Sequence, residues 1–110
     1  MTFKLKSDTI CIIRFALEEI YYLKSAQTEA YKLSRPTLFV LTKKFINKQL
    51  QLYKELPINT TKLHKMNFEI HEAVLLKSIV LQIIQDIDNQ YSAVLLNNFI
   101  NDLHSQTTAF

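Results

Sequence analysis

Residues 7–23 read SDTICIIRFALEEIYYL. Ile10, Ile13, Leu17, Ile20 and Leu23 recur there at intervals of three and four, the period at which an α-helix returns to one face, while Arg14 and Glu18 fall mostly on the other side. Ser7 and Asp8 supply N-cap oxygens just ahead of that stripe. Phe15, Tyr22 and Ala26 widen the apolar face, Ser25 and Glu29 extend the polar one, and a first helix is expected over residues 8–32. A face this broad calls for two neighbours.

Composition points the same way. The 110 residues include no glycine and two prolines. Tight β-hairpins place residues at positive φ, which glycine adopts at least cost, so an antiparallel sheet is not expected here. The same absence excludes the chemistries that depend on close backbone approach: phosphate-cradling loops, dinucleotide fingerprints and the strained nucleophile elbow. With 48% hydrophobic and 21% charged residues the chain has the balance of a globular protein. Its length suffices to bury a core without a disulfide or a metal, and one domain over residues 1–110 is expected. Cys11, the sole cysteine, lies in the run Ile10-Cys11-Ile12-Ile13 and reads as a small buried hydrophobe.

Three further helices follow from punctuation and periodicity. Ser34 is a capping candidate and Pro36 suits a first helical turn, so a second helix is expected over residues 36–56. Its inner stripe is Leu38, Leu41, Phe45, Leu52 and Leu56, with Phe39, Ile46, Leu50 and Tyr53 alongside. Pro57 disfavours helical geometry at Leu56, and Asn59, Thr60 and Thr61 offer caps for a third helix over residues 60–86. Two apolar stripes mark that helix as central and buried on two sides: Met66, Ile70, Val74, Leu81 and Ile84, then Phe68, Leu75, Ile79, Ile83 and Ile87. Asp86, Asp88 and Asn89 favour a break, after which a fourth helix over residues 90–104 buries Tyr91, Val94, Leu95, Phe99 and Leu103. Without that break, a single helix of ~45 residues would run about 67 Å and need a dimer to cover it. The expected fold is all-α, an antiparallel up-down bundle of four helices.

Residues 1–6 lead into an apolar stretch soon broken by Arg14, Glu18 and Glu19, with no small-residue cleavage site, so no signal peptide is expected. The longest apolar stretch, residues 73–84, is interrupted by Lys77 and reaches about half of the ~20 residues a membrane-spanning helix needs. A soluble, cytoplasmic protein is the expectation.

Charge is divided unevenly, net +7 over residues 1–65 and −4 over residues 66–110. Lys43, Lys44, Lys48 and Lys54 on the second helix, with Lys62 and Lys65 after it, are the residues suited to contact phosphates, although the chain has only two arginines for base readout. His64, His71 and Glu72 are spaced to share one side of the third helix, with Glu69 adjacent. The Glu-x-x-His pairs of carboxylate-bridged bundles are missing, and neither metal nor cofactor is expected. Tyr21 and Tyr22 are adjacent and point about 100° apart, so both cannot face one core. Together with the two-sided third helix they suggest leftover apolar surface, with Tyr21, Tyr22, Phe68, Leu75, Ile79 and Tyr91 as the interface candidates. The expected function is therefore a non-enzymatic module for protein–protein contact or regulation, self-associating as a dimer. A nucleic-acid-binding regulator working through the lysine face is the alternative.

Overall fold

The structure, a computed structural model, describes residues 1–24, 35–54 and 62–107. The fold is mostly α-helical, with four α-helices and one two-stranded sheet among the described residues. The chain divides into two compact units, one formed by Lys6–Lys62 and the other by Met1–Leu5 with Leu63–Phe110.

In the first of these, α1 (Ser7–Glu19) passes into a π-helical turn (Ile20–Lys24), and α2 (Arg35–Lys54) follows. Ile10, Ile13, Leu17 and Ile20 are buried as the periodicity requires, and Cys11 is half-buried beside them. Phe15 and Tyr22 do not widen that face: both stand in solvent, Tyr22 at 67% exposure. Phe15 lies about 160° round the helix from Leu17, a phase that outweighs its hydrophobicity. The helix begins one residue early because an extended strand runs straight into it. Lys6 is the N-cap and gives no side-chain bond, so Ser7 and Asp8 become first-turn residues, where the Asp8 carboxylate suits the positive end of the helix dipole. The expected helix end near Lys32, the caps at Ser34, Asn59, Thr60 and Thr61, and Leu56 with Pro57 lie outside the described residues.

Leu38, Leu41, Phe45 and Leu52 form the buried face of α2, joined by Thr42 and Gln49. Both polar groups are satisfied. Thr42 Oγ1 donates to the Leu38 carbonyl at 2.7 Å; Gln49 accepts from Arg14 Nη1 at 2.6 Å and donates to Tyr53 Oη at 3.0 Å. Arg14, read from sequence as outward-facing, also donates to Glu18 at 3.3 Å and bridges α1 to α2; its long apolar stem lets the charged head reach sideways from the boundary. Arg14 beside Gln49 and Tyr21 beside Phe39 set the two helices antiparallel.

The other unit contains a feature that the sequence did not lead one to expect. β1 (Thr2–Lys6) and β2 (Leu63–Asn67) form a two-stranded sheet. Met1 and Phe68 exchange both main-chain bonds, the Phe68 amide donating to the Met1 carbonyl at 2.9 Å and the Met1 ammonium to the Phe68 carbonyl at 3.0 Å, a reciprocity found only in antiparallel pairs. That register sets Phe3 opposite Met66 and Leu5 opposite His64, and all four are buried. No glycine is needed because no hairpin joins these strands; nearly sixty residues separate them. Met66 and Phe68 thus belong to and follow a strand rather than a helix.

After the sheet come α3 (Ile70–Asp86) and α4 (Gln90–Thr107). Glu72 of the first turn of α3, itself buried, accepts a 2.7 Å hydrogen bond from the Glu69 amide and so satisfies a donor at the helix start. Glu72→Ala is expected to cost about 1–2 kcal/mol in a urea titration, and Glu72→Gln, which keeps an acceptor, clearly less. The break at residues 87–89 is present. Ile87 turns extended and Asn89 caps α4, its Oδ1 accepting from the Ser92 amide at 3.1 Å. So short a link makes α3 and α4 an antiparallel hairpin.

The core of this unit gathers Phe3, Met66, Phe68, Ala73, Leu76, Ile79, Val80, Leu95, Leu96, Phe99 and Leu103. The Phe3 ring lies 5.8 Å from Phe68 and meets Phe99 edge-on at 5.7 Å, fixing the sheet to α4. Gln106 Nε2 adds a 3.2 Å bond to the Thr2 carbonyl. Expected core residues Tyr91 and Val94 are exposed instead. Counting about 100° per residue, Val94 falls on the side of α4 away from Leu96, Phe99 and Leu103, and Tyr91 about a third of a turn off their centre. Likewise α3 is not buried on two sides, because Ile70, Val74 and Leu81 remain exposed.

Candidate interaction surface

Two helices each carry a second apolar stripe turned away from their own core. On α2 it runs Phe39, Lys43, Ile46, Leu50, Tyr53, at alternating intervals of four and three. Phe39 is exposed, Leu50 and Tyr53 are each 50% exposed, Ile46 is half-buried, and Val40 extends the edge. Such spacing keeps all five within a narrow line along the helix, the seam geometry of helix pairing. At its N-terminal end Phe39 lies 5.9 Å from the Tyr21 ring, which packs edge-on against Tyr22 at 5.0 Å. Arg35 sits over the Tyr21 ring at 4.4 Å, and Lys43 over Phe39 at 5.1 Å. Their cations therefore occupy ring faces of their own chain. From Arg35 to Lys54 the helix holds five cationic residues and no acidic one.

On α3 the stripe is Ile70, Val74 and Leu81, with Val74 at 54% exposure. Their spacings of four and seven confine them to about 40° of arc, on the side opposite Leu76 and Ile79. Tyr91 and Val94, exposed on the first turn and a half of α4, lie at the same end of the hairpin as Leu81. This surface carries little charge; Lys77, within the stripe, is directed to His104 Nδ1 of α4 at 2.8 Å.

Of the expected interface residues, Tyr22 and Tyr91 are exposed, Tyr21 and Leu75 are half-buried, and Phe68 and Ile79 are core. The last two present no surface: Phe68 packs on Phe3, and Ile79 turns toward the side of α3 that also buries Leu76 and Val80. The residues that do form stripes, Leu50 with Tyr53 and Val74 with Leu81, were legible as apolar positions at helical spacing. Which of two stripes would find an internal partner was not.

The six lysines do not form one set. Lys43 and Lys54 share the exposed side of α2, Lys44 and Lys48 are half-buried on its flank, Lys62 lies at the end of the same unit, and Lys65 is on β2 in the other. Lys65 instead stands opposite Lys4 across the sheet, in the pair type where side chains come closest. His64 is buried on β2, so it shares no helix face with His71 and Glu72; those two diverge, His71 exposed and Glu72 buried. Among the described residues no group of three or more His, Cys, Asp or Glu is placed to hold a metal ion, and no helix is long and apolar enough to cross a membrane.

No known family model, curated protein or solved structure matches this chain.

Proposed function

We propose that this protein acts without catalysis, as a cytoplasmic helical module for protein–protein contact that pairs with a second copy of itself. One observation supports this reading above others: the line of Ile70, Val74 and Leu81 on α3, with Tyr91 and Val94 exposed on α4, leaves large apolar side chains in solvent. Burying such side chains is worth about 1.5–3 kcal/mol each when complete. A self-complementary patch of this kind closes as a two-fold dimer. Glu72 is engaged at its helix start, and His64 and His71 lie on different elements, which favours a contact role over acid–base chemistry.

Light scattering behind size exclusion, over a concentration series, tests it. A mass rising to the dimer is expected, and Val74→Ser with Leu81→Ser should return it to the monomer while helical circular dichroism is kept. A monomer at every concentration would overturn self-association. The second reading, nucleic-acid binding, draws on the lysines of α2. It would be favoured by co-eluting nucleic acid whose binding weakens steeply with salt and is lost in Lys44→Glu with Lys48→Glu.

A further inference from the structure

We propose that the outer face of α2 is a docking site for an acidic amphipathic helix of another protein. This rests on the interaction reading above, but on a different surface, and it does not require self-association. The stripe from Phe39 to Tyr53 spans about 21 Å at 1.5 Å per residue, close to four helical turns, and it repeats at the four–three interval that one helix presents to another. An occupant with the same spacing can lay its own apolar side chains between Phe39, Ile46, Leu50 and Tyr53.

Charge selects among occupants. Arg35, Lys43 and Lys54 border or interrupt the stripe, and α2 itself contains no carboxylate. A second copy of α2, parallel or antiparallel, would set lysines against lysines and raise the cost of pairing. A helix with aspartate or glutamate flanking its apolar seam meets the opposite field, and lysine stems can cover its edges while their ammonium groups reach the carboxylates. Nucleic acid fits less well. The middle of the stripe is aliphatic, Ile46 and Leu50, and offers no ring on which a base would stack.

The test uses the full chain and two labelled synthetic helices of about 18 residues, a length set by the stripe. Both carry leucines at four–three spacing; one has flanking glutamates and the other flanking lysines. Fluorescence anisotropy should show the glutamate helix binding at least about tenfold more tightly, with the gap narrowing as salt is raised. Phe39→Ser with Leu50→Ser should weaken that binding at least about tenfold, whereas Val74→Ser with Leu81→Ser should leave it unchanged. Lys43→Glu with Lys54→Glu, which keeps every apolar side chain, should invert the preference between the two helices.

Equal binding of the two helices, or binding of neither, would overturn the proposal. Displacement of the glutamate helix by a single-stranded oligonucleotide would reassign the face to nucleic acid. A loss of dimer mass in Phe39→Ser with Leu50→Ser would reassign it to a second copy. A monomer that still binds the glutamate helix would remove self-association and leave this docking site standing.

Discussion

Phe3→Ala is expected to destabilise the protein by about 3–5 kcal/mol, although it alters a residue next to the amino terminus. The Phe3 side chain is almost wholly buried, in ring contact with Phe68 from the far side of the chain and with Phe99 of α4. Truncating it removes the apolar surface of a full aromatic ring and leaves a cavity lined by two others, which close only in part. Its loss also loosens the strand that carries the Met1–Phe68 main-chain bonds. A fall in melting temperature of about 10 °C or more should follow in a chain of this size. Thermal and urea unfolding of the variant beside Lys4→Ala, on the opposite face of the strand, would decide it. If both variants lose less than about 0.5 kcal/mol, the strand does not contribute to the folded core.

Leu96→Ala should cost about 2–5 kcal/mol, while Tyr91→Ser on the same helix should change stability by no more than about 0.5 kcal/mol. Periodicity alone ranks these the other way, because Tyr91, Leu95, Phe99 and Leu103 fall at steps of four. Steps of four overshoot the helical turn by about 40° each, so a stripe drawn that way drifts about 120° between Tyr91 and Leu103. The buried set, Leu95, Leu96, Phe99 and Leu103, mixes steps of one, three and four around one direction. Urea titrations of the two variants measure the phase of α4 directly. A large loss for Tyr91→Ser with a small one for Leu96→Ala would mean the helix is rotated from its assigned face.

The helices themselves were legible because the information that makes a helix is local. Each backbone amide bonds within its own segment, so the three–four recurrence of Ile10, Ile13, Leu17 and Ile20, or of Leu38, Leu41, Phe45 and Leu52, carries both the element and its inner face. The break before α4 was readable for the same reason, since Asn89 caps through its own side chain. Charge was legible too: the absence of any acid from Arg35 to Lys54 is a property of the letters.

The sheet was not legible, although Thr2–Lys6 and Leu63–Asn67 each alternate between exposed and buried residues. A five-residue strand makes no backbone bond inside itself, and its partner here lies across almost sixty residues. Nothing local announces that pairing. The same holds for the two stripes on α2 and on α3. Sequence showed α3 apolar on two sides and set further apolar residues alongside the inner stripe of α2, but only packing decided that Leu41 and Leu76 would be covered while Leu50 and Val74 stayed in water. Hydrophobic burial has no direction of its own, so which of two apolar faces turns inward is settled by the neighbour that comes to meet it.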